Sequence, residues 1–507
     1  MDRQRRTLLQ ALAATVGSAA TLALPAAHAR PARAADFHRA VAADPLLRPF
    51  AGVADAPEGL ASDNPLLRGR WPAELRGRLH RNGPALYERG GERYHHWFDG
   101  DGMVQQFAIE GGRVRHRGRL VQTAKLRAER AAGRFALPAF GTTVENPLPL
   151  SGADSVNPAN TSVLEHGGRL LALWEGGSAH ELDAADLSTR GPVTWRDDLK
   201  GLPFSAHPKV GADGTLWNIG TAGAHLVVWQ IGADGRLQRA QLGAHPYPHG
   251  MVHDFAITDR WLVVPLPPVR FAFDNEAREG PRRFPMDAGQ PLRVLIARKD
   301  DLARQRVLEL PPQFVFHVGN AHEERDGTVV LGYVGAPDNA FLDCGAVALM
   351  RGERPLPAPA GTCIARLDPV RGTARVQQLD DAVEFPRVHP ACVGRRARWL
   401  VSACGAPRGS AGTNALLRGV QVLDTETGRV QRFDYGEQAI AEEHIVVPRP
   451  GRSGERDAWL LGTVYDARRD ATVLNLLDLA RVEDGPLAQA VLPYRLPLGF
   501  HGHFRAT

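Results

Sequence analysis

An all-β fold, best accommodated as a propeller of four-stranded blades, is what this sequence predicts, and three observations carry the expectation. Apolar or alternating runs a few residues long recur along the chain, separated by tight-turn dipeptides. Helical periodicity is weak, with residues 123–132 the best candidate for a helix. The pattern persists over about 450 residues, too many for one sandwich but enough for a propeller with long insertions.

Taken in order, the strand candidates are punctuated by residues that accept positive φ at little cost. Residues 107–109 meet Gly111-Gly112 before the run at 114–121. The run at 161–164 turns at His166-Gly167-Gly168 into 170–174. Further turns fall at Asp213-Gly214, Asp234-Gly235, Asp326-Gly327, Asp368-Pro369 and Thr427-Gly428. Asp-Gly and Gly-Gly pairs between apolar runs are strong hairpin signals. No WD or kelch repeat is present, so periodicity alone does not set the number of blades.

Composition narrows the class. The chain has 507 residues, 43% hydrophobic and 23% charged, the balance of a folded protein rather than a disordered one. Its net charge of +5 comes almost wholly from arginine, since lysine occurs only at Lys125, Lys200, Lys209 and Lys299. The arginines are scattered among acids without a basic run, so no nucleic-acid partner is expected. Four cysteines, Cys344, Cys363, Cys392 and Cys404, lack zinc-site spacing and read as either disulfide partners or buried thiols.

Residues 1–29 read as an export signal. Arg5-Arg6-Thr7-Leu8-Leu9 resembles a twin-arginine motif, residues 8–24 are apolar, and Ala27-His28-Ala29 fits a cleavage site. The twin-arginine export machinery is the implied partner, and a periplasmic location follows. Residues 30–55 are Ala- and Pro-rich and read as a linker, or N-terminal extension, ahead of one domain at 56–507.

Four of the 19 histidines stand out by context: His207 in Phe204-Ser205-Ala206-His207-Pro208-Lys209, His253 in Met251-Val252-His253-Asp254-Phe255, His317 in Phe316-His317-Val318-Gly319-Asn320, and His501 in Gly499-Phe500-His501-Gly502. Wide separation is what a propeller needs if several inner strands each send one side chain to the axis. Imidazole suits Fe, Zn and Cu, so the histidines alone do not name the metal. His249 and His253 have the spacing of a helical zinc pair, but Pro248 and Gly250 argue against a helix there. Asp99-Gly100-Asp101-Gly102 lacks the remaining positions of a calcium loop and reads as a tight turn.

These four contexts resemble the four-histidine motifs of the carotenoid cleavage oxygenase family. Other runs match in the same order: Arg81-Asn82-Gly83-Pro84, Trp97-Phe98-Asp99-Gly100-Asp101-Gly102-Met103, Asn157-Pro158-Ala159-Asn160-Thr161, Trp174-Glu175-Gly176-Gly177, Glu384-Phe385-Pro386-Arg387 and Glu443-His444-Ile445-Val446-Val447-Pro448. The resemblance implies a seven-bladed propeller with a dome of loops and short helices over one Fe(II). It implies His207, His253, His317 and His501 as iron ligands, and Glu175, Glu384 and Glu443 as carboxylates that accept hydrogen bonds from them. It further implies a dioxygenase that uses O2 to split a conjugated double bond of a small apolar alkene into two carbonyl products.

No Gly-rich phosphate loop follows a strand, so no nucleotide or flavin is expected. Carotenoids or apocarotenoids are the leading substrates, with stilbenoids and phenylpropenes as the alternative. For a stilbenoid, the resemblance to stilbene-cleaving members of the family makes Tyr94 and Lys125 candidates to grip a phenol, and Phe385 and Phe500 are further pocket candidates. An isomerase, or a propeller that binds apolar ligands without catalysis, are the remaining classes. A membrane-borne substrate would call for peripheral membrane contact through an apolar patch, for which 135–140 and 269–273 are candidates unless they pack within the dome.

Overall fold

The computed structural model describes residues 32–56, 58–247, 250–270, 284–356, 360–379, 382–406 and 416–507. The signal-like segment 1–29, His249 and residues 271–273 fall outside these residues.

Seven sheets of four or five antiparallel strands form the blades, as the family resemblance implies. Five blades run outward in simple chain order, as do the four inner strands of the seventh. In the second to seventh blades the innermost strands are Ser162–His166, Lys209–Val210, Ala256–Ile257, Phe314–Glu323, Val383–Arg387 and Ala439–Pro448. The first blade is completed by the C-terminus, where His501–Ala506 pairs with Gly77–Leu86 and becomes its innermost strand. The N-terminal strand Leu66–Gly69 joins the outer edge of the seventh blade by pairing with Pro486–Val491. Both chain ends therefore close the ring, which removes the open edge that a stack of sheets would leave.

Alternation within the strands supplies the packing between blades. Leu79, Phe107 and Val114 of the first blade meet Val447, Trp459, Leu461 and Leu474 of the seventh in one buried cluster. Each such side chain contributes about 1.5–3 kcal/mol by leaving water, so the contact between first and last blades holds the ring shut.

The helix expected at 123–132 forms over Ala124–Ala132 (α2, following the N-terminal helix α1 at Ala34–Ala42), with the Thr123 hydroxyl accepting the Leu126 amide at 3.1 Å as its cap and Gly133 ending it at φ 64°. The turns expected at Gly214, Gly235, Gly327 and Gly428 all take positive φ. Cys363 and Cys404 are buried thiols, Cys392 is half-buried and Cys344 is exposed.

The linker expectation for 30–55 is corrected. Ala34–Ala42 is a helix (α1) that buries Phe37 and Val41, and the turn Pro45–Ala51 buries Leu46, Leu47 and Phe50. Buried Arg93 lies 3.5 Å from the centre of the Phe37 ring and donates to the carbonyls of Phe50 and of Met350. The Ala- and Pro-rich composition hid an (i, i+4) apolar pair that docks on the dome. Much of the proposed apolar patch is likewise internal, since Phe135, Ala136, Leu137 and Val269 are buried.

Candidate metal centre

The four singled-out histidines meet at the propeller axis. His207 and His253 precede the inner strands Lys209–Val210 and Ala256–Ile257, His317 lies within Phe314–Glu323, and His501 opens the last strand. All four are buried, and one ring nitrogen from each lies within 4.8 Å of the others. No other group of this kind occurs among the described residues.

Three carboxylates decide which nitrogen faces the axis. Glu175 accepts from Nδ1 of His253 at 2.5 Å, Glu443 from Nδ1 of His501 at 2.9 Å, and Glu384 from Nδ1 of His317. An ionised carboxylate only accepts, so each Nδ1 carries the proton and each Nε2 presents a lone pair. Nε2 of His317 is buried with no partner in the protein, and Nε2 of His207 and His253 stand 3.0 Å apart. The His207–His253 contact is within hydrogen-bond distance, but the buried, unpaired lone pair of His317 costs free energy unless something at the axis accepts its electrons. This donor set fits one metal ion.

Electrostatics favour the neutral imidazole at His207 and His501, whereas at His253 burial opposes the charged form but Glu175 wins and holds it above the ordinary histidine value. Burial and the neighbouring imidazoles hold His207 well below the ordinary histidine value. Burial holds His501 down to about 4 despite the opposing pull of Glu443. Burial also opposes ionisation of Glu443, but the Arg387 guanidinium and His501 win and keep its carboxyl below the usual range.

Irregular strands make the arrangement possible. Register shifts occur around His317, between Glu384 and Arg387, and between Ala441 and His444. Bulges re-aim side chains, and here three inner strands carry one where they reach the centre. The remaining motifs interlock around it. Asn82 donates to the carbonyls of Ala159 and Ser162 at 2.9 and 2.8 Å, and Asn160 to those of Phe98 and Gly100. A Cβ at Gly83 would stand 2.5 Å from Cα of Gly499, so glycine lets the first blade approach the segment leading to His501.

Aromatic rings extend from the histidines into the dome. Phe316 packs on His253 and His317, at centroid distances of 4.9 and 5.7 Å, and continues to Phe98 at 6.0 Å. Phe98 touches Phe140 and Phe500, and Phe140 stacks on Phe284 at 4.2 Å. Phe385 lies 5.3 Å from both His317 and His501. Phe98, Phe140, Phe316 and Phe385 remain partly accessible. Of them only Phe385 and Phe500 were singled out from sequence as pocket residues. Phe98 and Phe316 stood in the quoted motifs, adjacent to expected site residues, and that adjacency was the available signal.

Tyr94 and Lys125 are also brought together, but in a different setting. Both are fully buried, and the ammonium donates to Tyr94, to Asp101 at 2.9 Å and to Glu129 at 3.1 Å. All three of its protons are therefore used inside the protein. Asp99 of the neighbouring turn accepts from the Gly141 amide and the Thr142 hydroxyl, so Asp99 and Asp101 serve different partners and form no calcium loop.

Residues 56–506 match the family described as retinal pigment epithelial membrane protein, RPE65. The apocarotenoid-15,15'-oxygenase of Synechocystis is 31% identical over 87% of this chain and 92% of its own length. The chain belongs to this carotenoid cleavage oxygenase family. The lignostilbene-alpha,beta-dioxygenase isozyme III of Sphingomonas paucimobilis, another similar protein, is 28% identical over 86% of the chain and 92% of its own length. A solved structure of cobalt-substituted Synechocystis apocarotenoid oxygenase superposes with a TM-score of 0.79, 27% identity and coverage of 94% of this chain and 100% of that one. As a member of the family the chain is an oxygenase on a seven-bladed propeller, and its four buried histidines are placed to bind a metal.

Proposed function

We propose that this oxygenase is an Fe(II)-dependent dioxygenase that cleaves one conjugated double bond of a carotenoid or apocarotenoid. The observation that carries this reading is the run of accessible aromatic rings abutting His253, His317 and His501. A long apolar polyene gains dispersion contacts along such a wall, and water gains little there. The similarity to an apocarotenoid oxygenase points the same way.

His207, His253, His317 and His501 would hold the iron through their inward nitrogens. The iron would supply the one-electron chemistry that lets O2 react with a closed-shell alkene. Four imidazoles are neutral, so the charge of the ion is balanced by Glu175, Glu384 and Glu443, one hydrogen bond away. Those carboxylates also fix ring orientation and raise ligand basicity. Phe316 and Phe385 hold the alkene beside the histidines and keep water away. The overall change, one alkene and one O2 giving two carbonyl compounds, balances without proton uptake or release. It therefore requires no acid or base from the protein.

A phenolic stilbene is disfavoured as the substrate. Lys125 has no proton left to offer, because Asp101, Glu129 and Tyr94 occupy the ammonium. Anaerobic purification with metal analysis, then oxygen uptake with an apocarotenal and with a hydroxystilbene, tests the proposal. One iron per chain and aldehyde products from the apocarotenal alone are expected. Zinc, or no metal, would overturn the iron assignment, and turnover of the stilbene alone would overturn the substrate.

A further inference from the structure

Among the three carboxylates, Glu443 is held differently. Its Oε1 accepts from Nδ1 of His501 at 2.9 Å and from Nε of Arg387 at 2.7 Å, while its Oε2 accepts the Gly502 amide at 2.8 Å. Arg387 also reaches the Gly502 carbonyl at 3.3 Å. The guanidinium thus ties the carboxylate to the residue that follows the histidine and closes a ring of hydrogen bonds around the His501–Glu443 pair. Among the described residues no arginine or lysine pairs with Glu175 or Glu384.

The backbone explains how Arg387 gets there. Glu384 and Arg387 share the inner strand Val383–Arg387 and stand three residues apart, which in a regular strand would put them on opposite faces. Across the ladder Glu384 pairs with Ala403 but Arg387 with Val401, so three steps on one strand match two on the other. This bulge absorbs one residue and turns both side chains to the axis. Phe385 sits inside it at φ 57°, a conformation that a phenylalanine adopts at a cost and that surrounding contacts must maintain. Its amide bonds the Glu384 carboxylate at 2.6 Å, and its ring lies against His317 and His501. One short strand therefore touches two histidine–carboxylate pairs.

We infer that Arg387, delivered by the bulge at Phe385, is a positioning residue that orients Glu443 and through it the metal-facing nitrogen of His501. This rests on the reading that the four histidines hold a metal. A charge-assisted bond from a rigid planar guanidinium fixes direction as well as distance. Without it Glu443 keeps only His501 and one amide, and the imidazole gains freedom to rock.

The test is Co(II) titration of the full chain and of Arg387→Met, Arg387→Lys, Glu443→Gln and the double variant Arg387→Met/Glu443→Gln. Affinity and the visible ligand-field spectrum are read for each, with circular dichroism to confirm folding. Arg387→Met is expected to weaken Co(II) by up to about 10-fold, the low end of what loss of a partner bonded to the ligand itself costs, and to shift the spectrum. Arg387→Lys should recover part of both. In the Glu443→Gln background the Arg387 change should cost little more, because both act through one carboxylate. Unaltered affinity and spectrum in Arg387→Met, or full additivity in the double variant, would overturn the inference while leaving the metal site intact. If the parent chain itself binds no Co(II), the four-histidine reading falls and the inference with it.

Discussion

Two buried polar clusters in this protein look alike in composition and differ in what they leave unpaired. Around Lys125 an ammonium, two carboxylates and a phenol face one another, and the cation's protons are all consumed. Only Oδ2 of Asp101 there lacks a partner. At the axis three carboxylates instead consume the outward nitrogens of three histidines, and the inward nitrogens converge on a common point. The first cluster spends its hydrogen bonds on joining α2 to the first blade. The second withholds them at one place. Burial and charge alone do not mark a functional site; convergent unsatisfied donors of electron pairs do.

That comparison breaks most completely at the ligands. His317→Ala removes one of four inward nitrogens and is expected to abolish stoichiometric metal binding, read by metal analysis of the purified chain, while the fold survives. Next in size, Lys125→Met strands two carboxylates in the interior and should destabilise the protein by about 3–5 kcal/mol in denaturant unfolding. The folded fraction of that variant should keep its metal, and loss of metal there would show that the two clusters are coupled. Glu175→Gln keeps the shape of the carboxylate but not its charge, and should weaken metal affinity about 10–100-fold with little change in apo stability.

Spread over several groups is the response to acid. Burial holds His80 and His116 down to about 3, and His444, His501 and His503 to about 4, against 6.5 for a free histidine. The unfolded chain therefore takes up protons below 6.5 that the folded chain refuses until pH nears 3 to 4. Stability should be full above pH 6.5 and fall as pH drops through that window. Thermal unfolding of the metal-free chain from pH 7.5 to 4.5 reads this. A melting temperature that stayed level or rose toward acid would contradict the neutral burial of these imidazoles.

Much of this was legible in the sequence, though unevenly. Hairpin glycines announced themselves because a left-handed φ leaves few alternatives, and Gly214, Gly235, Gly327 and Gly428 all adopt it. The cap and stop of α2 at Thr123 and Gly133 are local as well. The four histidines and three glutamates were identifiable through their neighbours in short motifs, not through any spacing of their own. Segment 32–51 misled, since alanine and proline suggested a linker while Phe37, Val41 and Phe50 had a dome to pack against.

By itself, then, the sequence determined the all-β class, the turns, the family and the identity of the histidines that meet at the axis. These depend on backbone preferences and motifs only a few residues long. Tertiary structure alone decided that both termini close the ring, that Lys125 is spent on Asp101 and Glu129, and that Arg387 stands on the same face as Glu384. Each of these depends on contacts between distant segments or on a single bulged residue. One residue gained or lost in a strand inverts every side chain beyond it, and nothing in the local sequence records that shift.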